Sequence, residues 1–145
     1  FLDIGLCHRI LGLSLSRLFL ERKDLLAKRG GFSEQLVAQE LVALTAKNES
    51  PQLFYWHREA KSAQAEVDFV IAQEGEVIPI EVKSGLGGKA KSLQAFISEK
   101  KSAHAIQIEP APFSTHNGVH RVPPYGISEI YSTLPSRTPK NPSKV

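Results

Sequence analysis

Two carboxylates and an amine, Asp68, Glu81 and Lys83, sit in two neighbouring segments that alternate with period two, Glu66 to Ala72 (EVDFVIA) and Glu76 to Lys83 (EVIPIEVK). Glu74-Gly75 between them reads as a tight hairpin turn. With a two-residue loop Gln73 meets Glu76, paired positions sum to 149, and Asp68 falls opposite Glu81 with Glu66 opposite Lys83. A loop of odd length, or a bulge, shifts that register. Alternation then gathers Glu66, Asp68 and Val70 with Pro79, Glu81 and Lys83 on a polar face. Val67, Phe69 and Ile71 are left with Ile78, Ile80 and Val82 on a core face. Two opposed carboxylates repel. A hard divalent cation, Mg²⁺ or Mn²⁺, is the simplest offset, because it takes oxygen ligands and needs only a couple of carboxylates besides water. Lys83 beside them suits a water to be held or a phosphoryl charge to be stabilised. That is the equipment of phosphodiester hydrolysis. The plainer reading is a solvated strand face with a Glu66–Lys83 cross-strand ion pair worth under ~1 kcal/mol.

The elements that must position these residues follow from the rest of the chain. Leu2, Leu6, Ile10, Leu11 and Leu13 recur near helical spacing, and a second helix is expected over Arg17 to Lys28, stopped by Gly30-Gly31. Phe32 to Ala46 carries a stripe of Leu36, Val37, Leu41 and Leu44 and reads as a third helix. Leu53 to Arg58 (LFYWHR) is aromatic and strand-like. After the hairpin, Ser84 to Gly88 is a loop, Lys89 to Lys100 a helix with Leu93, Phe96 and Ile97 on its apolar face, and Ala103 to Glu109 a last core strand. Val119 to Val122 reads as a short strand and Ile127 to Tyr131 as a short helical cap. The predicted fold is α/β: an αβββαβ core with a mixed sheet flanked by helices, behind a helical N-terminal segment.

Composition narrows the class. The 145 residues suffice for one core, 41% of them are hydrophobic, and the formal net charge of +3 permits contact with nucleic acid without requiring it. No run reaches the roughly 20 apolar residues of a membrane helix, and the first residues lack a signal peptide's basic start. A single cysteine, Cys7, cannot form an internal disulfide, which is compatible with a reducing cytoplasm, the expected location. The chain contains no methionine, and together with its abrupt start this predicts a segment of a longer protein.

At Asp68 and Glu81-Val82-Lys83 the chain resembles the PD-(D/E)xK phosphodiesterases, whose core is restriction-endonuclease-like; Val67 stands where the family name has proline. The resemblance implies a metal set of Glu34, Asp68 and Glu81, with Lys83, Asp68 and Glu81 catalytic. Glu34 in GGFSEQLVAQEL takes the helix-glutamate role, and Glu40, six residues later, is the competing choice. The ordered motifs FLDIGL, GFSEQLVAQEL, YWHRE, AEVDFVI, IPIEVKSG and KSLQAF resemble more closely the domain of unknown function 4143, from Phe1 to about Tyr131. That resemblance implies the C-terminal part of a prokaryotic AAA+ type ATPase, with an ATPase module and a winged-helix-like segment before it as the domain's own partner. It divides the chain into a helical segment at 1–30, the nuclease-like domain at 31–131, and a Pro-, Ser- and Lys-rich tail at 132–145 expected to be disordered.

No ATP site is expected here: in Ser84-Gly85-Leu86-Gly87-Gly88-Lys89-Ala90 the lysine is followed by alanine where a Walker motif needs Ser or Thr. Lys89 and Lys91 are positioned to touch nucleic-acid phosphate, although a solvated helix face accounts for them equally. The five histidines form no metal motif, since Asn117-Gly118 keeps His116 and His120 off one helix face. Tyr55 and Trp56 read as sheet packing rather than base-stacking platforms. Two functions stay open: a metal-dependent phosphodiesterase acting on DNA or RNA, and an inactive module of the same fold that docks on the ATPase or another protein. The second predicts an exposed apolar patch on the first thirty residues.

Overall fold

The computed structural model describes residues 3–10, 12, 26–45, 48–59, 64–73, 75–85 and 89–134. Helix α1 (Ile4–Ile10) is opened by Asp3, whose Oδ1 accepts the Leu6 N–H at 2.8 Å. It turns out at Gly12, whose positive φ of 63° suits a residue without Cβ. Cys7 points inward and is buried, while Leu6 and Ile10 are 60% and 76% exposed.

Helix α2 (Leu26–Ala43) runs straight through Gly30-Gly31. The expected stop there is therefore overturned. Each glycine costs roughly 1 kcal/mol of helix propensity relative to alanine, but Val37 and Leu41, one turn apart, bury into the core and hold the helix. Most of the second helix expected over Arg17 to Lys28 lies outside the described residues.

Among the described residues six strands make one mixed sheet: β1 (Phe54–Arg58), β2 (Ala65–Gln73), β3 (Glu76–Val82), β4 (Ala105–Ile108), β5 (Ser114–His116) and β6 (Val119–Val122). Their order is β1-β2-β3-β4-β6-β5. The β1–β2, β2–β3 and β5–β6 pairs are antiparallel, whereas β3–β4 and β4–β6 are parallel. Helix α3 (Lys91–Lys100) is the crossover between β3 and β4. From α2 to β4 the chain thus spells helix, three strands, helix, strand, as expected. The described residues 132–134 depart from the expected tail: α4 (Ile130–Thr133) follows a 3₁₀ turn over Pro124–Glu129, and Leu134 is buried against the core.

Both faces of the sheet are covered. On one side Ile78, Ile80 and Val82 of β3 and Ile106 and Ile108 of β4 pack with Val122, with α2, and with Ile127, Ile130 and Leu134. On the other, Val67, Ala105 and Val119 pack with Leu93 and Phe96 of α3. A parallel centre buried on both faces is the usual arrangement for such a sheet.

The candidate metal and phosphodiester site

The β2–β3 hairpin has the register read from the turn. Gln73 pairs with Glu76, Ile71 with Ile78 and Phe69 with Ile80, so partners sum to 149 along the whole described ladder. Gly75 supplies the turn with a φ of 80°. Beyond Phe69 and Ile80 the ladder stops, and Asp68 and Glu81 stand at the fork where the two strands part. From there β3 pairs with β4, matching Glu81 to Gln107 and Val82 to Ile108.

A bulge marks the same point on the other side of β2. Between the pairs Phe54–Val70 and Trp56–Val67, β1 advances two residues and β2 three. The extra residue lies at Asp68-Phe69. It reverses the alternation, so Val67 packs on the α3 side while Phe69 and Ile71 pack on the α2 side. The expected single core face of Val67, Phe69 and Ile71 is corrected accordingly. Bulges re-aim side chains next to functional sites, and here the re-aimed residue is Asp68. Its Oδ2 accepts the Val82 N–H at 2.6 Å, standing in for the backbone carbonyl that the ended ladder no longer provides.

Glu81 is only 6% exposed, although its face was expected to collect solvated charge. Its Oε1 accepts from Lys83 Nζ, so the lysine pairs with Glu81 rather than with Glu66. Its Oε2 is buried and has no hydrogen-bond partner among the described residues. Natural structures rarely leave such an oxygen unserved. Burial raises the pKa of Glu81, opposed by the Lys83 hydrogen bond and charge and reinforced by Asp68 and Glu66. Burial likewise raises Asp68, opposed by the Val82 N–H and Lys83 and reinforced by Glu66. Glu34, on α2, is pushed upward by burial and then by the charges of Asp68 and Glu66, against Lys83. Glu34, Glu66, Asp68, Glu81 and Lys83 therefore share one electrostatic neighbourhood.

The described residues bring these groups together only so far. No three His, Cys, Asp or Glu side chains among them stand close enough to form a metal cage of their own, so Glu34 does not close a triad with Asp68 and Glu81. A pair of carboxylates still fits a hard cation that retains most of its water. The donor set is all oxygen and includes one buried, unpartnered atom. Glu40 is exposed on α2. Lys89 and Lys91 are exposed where the chain leaves the loop and starts α3; residues 86–88 lie outside the described set.

Next to Lys83 a cleft of about 160 Å³ opens at the carboxyl ends of the parallel strands, lined by Ser33, Lys83, Ser84, Pro110 and Pro124. Ligands of open α/β sheets bind at such strand ends.

Several polar groups had no counterpart in the sequence reading. Gln107, level with Glu81, donates to Glu109 Oε2 at 3.0 Å, and Glu109 is buried with Arg121 at 3.3 Å from its other oxygen. The sequence reading took AHAIQIE only as a last core strand and gave these two residues no role. His104 Nδ1 and His120 Nε2 lie 3.1 Å apart, and Thr115 Oγ1 is 3.1 Å from His120 Nδ1. Burial, then His104, lowers the His120 pKa and favours the neutral ring. The Asn117-Gly118 hairpin, in which both turn residues have positive φ, sets Thr115 opposite His120, and the parallel pairing of β4 with β6 brings His104 beside them. Asn-Gly is the strongest short hairpin signal and was the available clue. Trp56 packs edge-to-face on Phe96 at 5.3 Å as expected, but Tyr55 is exposed rather than packed.

Among the described residues no helix is long and apolar enough to cross a membrane. A family model described as domain of unknown function (DUF4143) matches residues 29–124. No curated protein and no solved structure matches the chain.

Proposed function

We propose, for a chain that belongs to the DUF4143 family, metal-dependent hydrolysis of phosphodiester bonds in nucleic acid at the fork of β2 and β3. The observation that carries this reading is Glu81 Oε2, a buried carboxylate oxygen with no hydrogen-bond partner among the described residues, beside the half-buried Asp68. Evolved interiors keep two such acids in close company when something positive is meant to join them.

Asp68 and Glu81 would hold Mg²⁺ or Mn²⁺, with Glu34 adding negative charge from α2. A bound cation would supply Lewis acidity and activation of water. The chain's own groups do the remaining work. Asp68, tied to the Val82 N–H, has its carboxylate position set by the main chain. Glu81 anchors Lys83 through Oε1. Lys83, one of the residues that line the strand-end cleft, carries a positive charge suited to orient water and to stabilise charge developing on the phosphoryl oxygens.

Cleavage of single- and double-stranded DNA and RNA with Mn²⁺ or Mg²⁺ tests the proposal. Lys83→Ala and Asp68→Ala are each expected to lower the rate by roughly a hundredfold or more, with unchanged circular dichroism. Variants as active as the parent would sink it.

A second reading is favoured by the bare Leu6 and Ile10 on α1: an inactive module that docks through this helix on a protein partner. The partner suggested by sequence resemblance is an AAA+ type ATPase region of the same protein, with a cytoplasmic setting. Calorimetric titration separates the two. Millimolar-or-tighter Mn²⁺ binding that disappears in Asp68→Asn is expected, and its absence would favour the docking module.

A further inference from the structure

The carboxyl ends of β3, β4 and β6 lie along one rim of the sheet, because these three strands are parallel. Lys83 and Ser84 follow β3, Pro110 lies just beyond β4, and Pro124 lies just beyond β6; all four line the cleft beside the candidate site. Two aromatic residues continue that rim. Tyr125 follows Pro124 and is 81% exposed. Phe113, 47% exposed, precedes β5, whose first residue Ser114 pairs with Arg121 near the same end of β6.

The two rings support each other. They meet edge-to-face, with centroids 6.3 Å apart and planes at 79°. Phe113 in turn lies over Gly126 so closely that a Cβ there would overlap its ring. The bare glycine seats Phe113, and Phe113 steadies Tyr125. At 81% exposure, Tyr125 buries too little of itself for core packing to explain the support. Its open ring offers a flat apolar surface with a polar tip, the form that stacks on a nucleobase. Two strand spacings separate β3 from β6, or about 10 Å across the sheet.

From this placement we infer that Tyr125, propped by Phe113, is a stacking platform for an unpaired base, and that the ligand of this rim is single-stranded nucleic acid. The inference rests on the proposed function for its ligand class and names the form of that ligand. A phosphodiester beside Lys83 leaves the neighbouring bases within reach of the platform. Bases stacked inside a duplex have no open face to offer it. Exposed Tyr55, on the edge strand, belongs to a separate groove with Lys100 and Lys101.

The experiment is fluorescence anisotropy with labelled oligothymidylate, oligouridylate and a mixed-sequence duplex, in EDTA and again in Ca²⁺. Tyr125→Ala is expected to weaken binding of both single strands by roughly five- to a hundredfold and to leave duplex binding unchanged. Tyr125→Phe keeps the ring and should bind as the parent does, while Phe113→Ala should give a smaller loss than Tyr125→Ala. Unchanged single-strand affinity in Tyr125→Ala, an equal loss on duplex, or no single-strand binding by the parent would each overturn the inference. Failure here is distinguishable from failure of the nuclease reading. Cleavage that depends on Lys83 but is indifferent to Tyr125 removes only the platform; Tyr125-dependent binding without any cleavage supports the platform and removes the hydrolysis.

Discussion

The two ends of the β2–β3 hairpin solve the same problem differently. At the turn end, from Phe69–Ile80 to Gln73–Glu76, backbone meets backbone in an unbroken antiparallel ladder. At the open end the ladder has stopped, a side chain serves the Val82 N–H, and acids with an ammonium group occupy the fork. The first arrangement is cheap and stable. The second buries carboxylates, and that burial, with a smaller contribution from neighbouring acids, raises the pKa of Asp68 and of Glu81. One hairpin thus carries a half built for stability and a half that gives up some stability to bury charge, the trade that the proposed function would require.

Substitutions at the two ends should therefore have opposite signs. The larger effect belongs to the turn. Gly75 has φ of 80° with nothing within 4 Å of a prospective Cβ, so Gly75→Ala is resisted by the backbone alone. A loss of about 1–2 kcal/mol is expected in urea unfolding. No loss would mean that the turn tolerates an L side chain and that the ladder's regularity owes little to it.

The smaller effect, of the other sign, belongs to the fork. Asp68→Asn retains an acceptor for the Val82 N–H but removes the charge, so without metal at neutral pH the melting temperature should rise by roughly a few degrees. The direction in pH follows from linkage. Asp68 is raised above its ordinary value in the folded state, so the folded chain binds more protons than the unfolded chain between the two values. Its contribution is most favourable below the ordinary carboxylate range and is lost as pH rises through the raised folded value. The parent should show that loss and the asparagine variant a weaker one. A variant that melts below the parent at neutral pH would show the fork to be an ordinary stabilising network.

The hairpin register was legible because Glu74-Gly75 and two alternating segments admit a simple pairing. The bulge beside it was not. Val67-Asp68-Phe69 reads as unbroken alternation, and the inserted residue brings no glycine to mark it. The candidate site was named from Asp68 and Glu-x-Lys, while the burial of Glu81 was not legible, since period two separates faces without saying that both are covered. Gln107 and Glu109 were overlooked for the same reason. Gly30-Gly31 suggested a stop that tertiary packing overrides, whereas Asn117-Gly118 was an undervalued turn because the strand before it, Ser114-Thr115-His116, is polar throughout.

The bond from the Val82 N–H to Asp68 makes position 68 a structural splint as well as a charge. A glutamate there would retain the acid but carry it one methylene farther from the strand, so it could not brace the fork and present its oxygens at the present spot together. What a substitution table counts as a mild exchange is, at this position, a choice between bracing the fork and keeping the charge in place.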